Sequence, residues 1–436
     1  MKRFEREYHK DTPSPEEVNE GSWQGCSPPL DEREAELSKR QFQQESLCLD
    51  RGTLSCRQSD ILELNKLLSL AQTQRILNYY GTNPYRLYIL PLAFEQLGLL
   101  YAVLGLSACH MALRNEESDL MSIADEYRLR CISSLIQTIQ KGISSNSDEN
   151  ERDGIFATIQ LLLLHDICES GISTHGAHIT GAMSICDQLQ LCESLTSKDE
   201  RAVFFLGNLA WLDVIRSLSD PRRLCFSSNL RETIIVLSTE KFEQVNGCPR
   251  DIFLMIGDAL ESAKSYSSGQ IDHSRHKRTI LDLHIRLSLW KLADWQLPDN
   301  EPGWNAVGEG YRHSMLLYTS RILSPEKPAE SSLIQESVNE VLDAVSEIPH
   351  SLIQLMIMPL FIAGTDALSS HSRHYILLIL DTIKSIAGFS NDVPKILLQQ
   401  VWEARRRQEK SDKRNILWTS FTHTAVDGVQ NDYLII

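Results

Sequence analysis

Three histidine pairs are spaced for chemistry. His175 and His178, His273 and His276, and His371 and His374 each lie three residues apart. On a helix that spacing brings two side chains to one face, where they could share a metal ion. Zinc needs further ligands, and neither an HExxH sequence nor a paired-cysteine motif supplies them nearby. Surface or helix-end histidines are therefore the expected reading. His165 and Asp166 could move protons as an acid–base pair. They stand in an apolar helical run with no nucleophile signature beside them, so a satisfied, partly buried pair is expected. The phosphate-cradling patterns GxxxxGK[ST] and GxGxxG are absent, and so is the GxSxG elbow. No residue is assigned a catalytic, cofactor-binding or metal-ligating role. No cofactor is expected, and the chain reads as a non-enzyme.

Charge narrows the partners. The chain has 436 residues with 43 Lys and Arg against 58 Asp and Glu, a formal net charge of −15. That balance is repelled by a phosphate backbone unless cations are gathered locally. One basic run exists, RRRQEKSDKR at 405–414, with six positive and two negative charges. It reads either as a nuclear-import signal or phosphate contact, or as the solvated end of a helix, where cations complement the negative dipole. A composition 42% hydrophobic and 23% charged suits a sizeable core. Ten cysteines lie in no disulfide-like spacing, most of those from Cys109 onward inside apolar helical patterns. A reducing compartment is expected. The uncharged stretch from Leu97 to Leu113 approaches the length of a membrane span, but it contains Gly98, Gly105, Ser107 and His110 and stands alone. A buried core helix is expected there, and no membrane partner.

The elements that must position any site are helical. Residues 1–58 are polar and broken by Pro13, Pro15, Pro28 and Pro29, and read as a disordered leader. From Asp60 the apolar period is that of helices. The first runs over 60–80 and stops at Gly81. Pro84 and Pro91 punctuate a connection before a helix at 92–114. A helix at 119–141 follows, then a loop over SSNSDENERD (144–153) and a helix over IFATIQLLLLHDICE. Further helices are expected at 176–192, 199–218, 250–266, 276–296, 305–323, 331–348, 351–370, 372–387 and 393–410. Pro359 should kink or interrupt its helix, having no N–H to give. LRETIIVLS (230–238) is the one short strand candidate. The fold class is all-α: an array of antiparallel helices forming one large domain at 59–418, with a C-terminal tail at 419–436.

Several of these segments, in order, carry a resemblance. NPYRLYILPLAFEQLGLLYAVLGLSACHMA (83–112), DGIFATIQLLLLHDICES (153–170) and HGAHITGAMSICDQL (175–189) come first. The third matches a Trp-x-x-His-Leu-x-Gly-Ala element at His178, Gly181 and Ala182, with His175 in place of Trp and Ile179 in place of Leu. FFLGNLAWLDVIRSLSDPRRLCF (204–226) follows, with Asp213 at an acidic position. GCPRDIFLMIGDALESA (247–263), YRHSMLLYTSRIL (311–323), MPLFIAGTDALSS (358–370) and VWEARRRQ (401–408) complete the series. Together they resemble the fungal-specific transcription factor domain, the regulatory region of fungal zinc binuclear cluster factors. The family's DNA reader is a basic six-cysteine module opening C-x2-C-x6-C. Here Cys26, Cys48 and Cys56 stand in C-x21-C-x7-C spacing without a basic run, so the zinc cluster is expected to be missing from this chain.

The resemblance implies a nuclear transcription regulator controlling a metabolic or biosynthetic gene set. It implies partners among other transcription factors or co-regulators, a homodimer, and a small effector. DNA would be reached only indirectly, unless a zinc cluster is encoded upstream. The competing reading is a helical small-molecule-binding protein or enzyme. It requires a deep cavity on which polar groups such as His165, His178 and Asp213 converge.

Overall fold

The computed structural model describes residues 84–115, 118–141, 148–173, 177–298, 300–387, 392–408, 414–422 and 432–435. They lie in a unit that runs from Cys56 to Ile436. The expected leader at 1–58 and helix at 60–80 fall outside the described residues.

Helix follows helix. The first group comprises α1 (Pro84–Glu95), α2 (Leu97–Asn115), α3 (Ser118–Gln140), α4 (Glu149–Glu169), α5 (Ala177–Gln188) and the single turn α6 (Leu191–Ser194). The middle of the chain forms α7 (Glu200–Ser217), α8 (Ser228–Leu237), α9 (Lys241–Asn246), α10 (Arg250–Ser267) and α11 (His273–Leu289). The remainder forms α12 (Trp304–Leu323), α13 (Ser332–Ser346), α14 (Ile357–Thr365), α15 (Ser370–Ala387) and α16 (Val393–Arg407). Strand structure among the described residues is one antiparallel pair, β1 (Ile172–Ser173) with β2 (Asp432–Tyr433), registered Ile172 to Tyr433. The residues just after β2, Leu434 and Ile435, are buried in the main core.

The apolar stripes explain this order. In α13, Ile334, Val338, Val341 and Val345 recur at helical spacing and all are buried. Helix α2 packs against α3 and α4. It is the one helix among the described residues long and apolar enough to cross a membrane, and half of that stretch is buried within the protein.

Three local expectations differ from what forms. LRETIIVLS is helical, not a strand. Ser227 caps α8 by accepting the Leu230 N–H, and Leu230, Arg231, Ile234 and Ile235 face inward with a helical period. The β-branched run misleads because burial, not local propensity, selects the conformation. Pro91 lies inside α1 and does not end a connection. SSNSDENERD is helical from Glu149, because Asp148 acts as the N-cap and accepts the Asn150 N–H. Pro359 behaves as expected: a 3₁₀ turn at Ile353–Met356 precedes α14, and Pro359 sits in that helix's first turn, where its missing N–H leaves no bond broken.

Helix α12 also carries a titratable lock. His313 lies 3.5 Å from Glu309 on its own helix and 3.8 Å from Glu340 of α13, with Arg312 beside it. Burial, and then the Arg312 charge, lower its pKa from 6.5 to about 4. The unfolded chain takes up this proton near pH 6.5 and the folded chain only near 4. The associated stability is therefore complete above pH 6.5 and is lost as pH falls through that window. Denaturant unfolding at a series of pH values should show a shallower acid loss for His313→Gln than for the parent between pH 6.5 and about 4. Identical slopes would count against this lock.

Candidate functional site

A buried ion pair sits where α7 turns into the segment before α8. Asp213 and Arg216 are three residues apart on α7 and both are buried. Arg216 Nε and Nη2 donate to Asp213 Oδ1 at 3.0 and 2.8 Å. Asp213 Oδ2 accepts the backbone N–H groups of Cys225 and Phe226, both at 2.8 Å. One carboxylate thus ties the helix end to the far end of the loop over 218–226. Burial drives its pKa upward, opposed by the Arg216 charge and the two amides. Within the loop, Asp220 accepts the Arg222 backbone N–H at 3.1 Å and opens a 3₁₀ turn at Pro221–Arg223. It also clamps the Arg222 side chain through Nε and Nη2, at 2.9 and 2.8 Å.

A second buried charge cluster faces this loop. Asp366, at the end of α14, receives Arg321 of α12 in a two-point clasp: Nε to Oδ2 at 2.8 Å and Nη2 to Oδ1 at 2.6 Å. Arg405 of α16 donates from Nη2 to the same Oδ1 at 2.9 Å. Two guanidinium groups therefore share one carboxylate, joining three helices. Burial lowers the Arg405 pKa, and Asp366 opposes that shift. Arg405 Nε is buried with no hydrogen-bond partner among the described residues.

Between the two clusters lies a cavity of about 400 Å³, within the usual size of small-molecule sites. Leu218, Leu317, Tyr318, Ile322, Ile362 and Trp418 are among its apolar wall, and Asp220, Arg222, Arg321 and Asp366 supply its charges. The 3₁₀ turn at Trp418–Phe421 closes one side, with Trp418 edge-on to Phe361 at 5.0 Å.

A family model described as the fungal specific transcription factor domain matches residues 64–430, which spans the helical array and the cavity alike. The chain belongs to the fungal-specific transcription factor domain family. No curated protein and no solved structure matches it.

Within this fungal-specific transcription factor domain, the polar groups singled out by sequence do not converge. His165 is buried on α4 against Cys109 of α2, and its Nε2 has no hydrogen-bond partner among the described residues. Hydrogen bonding with Cys168 and the nearness of His165 draw the buried Cys109 thiol down to about 6. The same bond and burial push Cys168 up. Neighbouring Asp166 instead accepts the Ser173 hydroxyl at 2.6 Å and pairs with Arg128. The two residues are thus not a pair with each other. His178 is half-buried on α5. Ala182 is fully buried, whereas a Cβ on Gly181 would meet nothing within 4 Å. Asp213 stands behind the cavity wall and lines no part of the cavity. None of His165, His178 and Asp213 lines the cavity, whose polar groups come from other residues.

The remaining candidates have local partners or lie apart. His276 Nδ1 lies 2.8 Å from Ser262 Oγ, and its ring stacks on Tyr266 at 5.1 Å. His371 and His374 are exposed on the first turns of α15. His175 falls outside the described residues. Among the described residues no group of three or more His, Cys, Asp or Glu is placed to hold a metal ion. In the basic run, Arg405 points inward to Asp366, while exposed Arg406 and Arg407 pair with Glu403. Residues 409–413 lie outside the described residues.

Sequence reasoning missed Arg321, Asp366, Tyr318 and Trp418. A signal was available for two of them. Arg321 and Asp366 are isolated charges in apolar runs, LLYTSRIL and PLFIAGTDAL, and a charge in a buried stripe requires a buried partner.

Proposed function

We propose that this domain acts in the nucleus as the regulatory body of a transcription regulator, controlling a metabolic or biosynthetic gene set through protein partners and a small effector. The family match over residues 64–430 carries the reading. Two further observations support it. The formal net charge of −15 opposes direct contact with DNA. The inward-facing Arg405 and the pairing of Arg406 and Arg407 with Glu403 leave little free cation at the start of the basic run. On this reading the domain meets other transcription factors, co-regulators or a second copy of itself through its helical surface, and holds no catalytic centre.

Tethering tests the reading. The full chain, fused to an unrelated DNA-binding module and directed to a reporter promoter, should change reporter output by about ten-fold, equivalent to about 1.4 kcal/mol of recruitment. Unchanged output with the fusion expressed and nuclear would overturn it. The purified chain alone should show no tight gel-shift of promoter DNA at about 0.15 M salt, and tight binding with a steep salt slope would contradict indirect DNA contact.

A further inference from the structure

The cavity beside Arg321 and Asp366 has a selective chemistry. Its wall is mainly aliphatic and aromatic: Leu317, Ile322 and Ile362 on the helices, and Trp418 on the closing turn. Its lining charges are paired one for one. Arg222 and Arg321 line it against Asp220 and Asp366, and Arg405 reaches Asp366 from outside the lining. Arg223 lies on the same short turn as Arg222. Its pKa is lowered by burial first and then by Arg216 nearby.

Two donors face the cavity with capacity to spare. Asp220 takes the Nε and Nη2 edge of Arg222, while Nη1 makes no hydrogen bond among the described residues. The Tyr318 hydroxyl likewise makes none. Burial raises its pKa well above the ordinary tyrosine value, so it stays protonated and can donate. A guanidinium edge and a neutral phenol over an apolar floor suit a carboxylate on an apolar body. They disfavour a cation, which would face the Arg222 guanidinium. They also disfavour a purely polar ion, which would leave the apolar wall unfilled.

We propose that this cavity is a binding site for a small organic acid, its carboxylate held by Arg222 and the Tyr318 hydroxyl and its aromatic or aliphatic body packed against Leu317, Ile362 and Trp418. The proposal deepens the regulatory reading by naming the chemical class of the effector and rests on it for biological meaning. Binding is measured on the purified chain and regulation in cells, so each fails independently.

The probes are 1-naphthaleneacetate, 4-phenylbutyrate and decanoate, each compared by calorimetry with its matched primary alcohol and with inorganic phosphate. At least one acid should bind about ten-fold or more tighter than its alcohol, the worth of a charge-assisted hydrogen bond. Arg222→Gln should remove that preference without changing alcohol binding, and Arg222→Lys should keep part of it. Tyr318→Phe should weaken the acid by about three-fold or more. The exposed Arg407→Gln control should change nothing. The proposal is overturned if no acid binds below about 1 mM, a bound of about −4 kcal/mol. Equal binding of acid and alcohol, tighter binding of phosphate than of every acid, or a preference that survives Arg222→Gln would overturn it equally.

Discussion

Asp366→Ala should unfold the domain under conditions where Arg405→Met leaves it folded. Removing the carboxylate strands two guanidinium groups, Arg321 and Arg405, in a site where both are nearly buried. Breaking a buried pair by deleting one partner costs about 3–5 kcal/mol, and here one deletion strips two cations at once. The upper end of that range, about 5 kcal/mol, is as large as the whole stability of many domains. Arg405→Met does the opposite. It removes the surplus cation, whose Nε has no partner among the described residues, and leaves the Arg321 clasp intact. The hydrogen bonds to Thr365 and Asn415 are lost, so a cost of about 1–2 kcal/mol is expected, within reach of what the Met side chain recovers by packing. Urea unfolding followed by circular dichroism measures both. Equal losses, or a greater loss in Arg405→Met, would show that Asp366 is not the hub of this cluster.

The second large effect belongs to Asp213. Asp213→Ala removes the carboxylate that neutralises the buried Arg216 and the acceptor of the Cys225 and Phe226 amides. A loss of about 3–5 kcal/mol is expected from the guanidinium alone, with about 1–3 kcal/mol more for each amide that water cannot reach. Asp213→Asn keeps an acceptor for the amides but removes the charge opposite Arg216, so its loss should be smaller. Because Asp213 holds the loop that carries Asp220 and Arg222, the Asn variant should also weaken binding of the organic acid while the alcohol stays unaffected. Equal stability of the Ala and Asn variants would indicate that the two amides find partners without Asp213.

These two carboxylates differ in how legible they were. Asp213 was singled out because the residues around it resemble a family element, yet its role is to lock a loop and not to line a cavity. Asp366 gave no such signal beyond being a lone charge in MPLFIAGTDALSS. Arg405 was grouped with a basic run and read either as a surface signal or as the solvated end of a helix. The structure turns it inward, because Asp366 and Asn415 lie within reach once α14 and α16 are packed. Similarly, His165 and Asp166 are neighbours in sequence, but adjacent helical positions point about 100° apart, so they meet different partners.

What the amino-acid order determined by itself was the helical architecture and the family, since apolar residues at helical spacing force an inward face wherever the chain is placed. It also carried the overall acidity, which is a sum and needs no coordinates. Only tertiary packing decided which charges meet. Arg321, Asp366 and Arg405 lie up to 84 residues apart, Arg321 to Arg405, and their mutual burial depends on how α12, α14 and α16 cross. The cavity is decided at the same level, because a void is a property of the space between helices and leaves no periodic trace along any one of them.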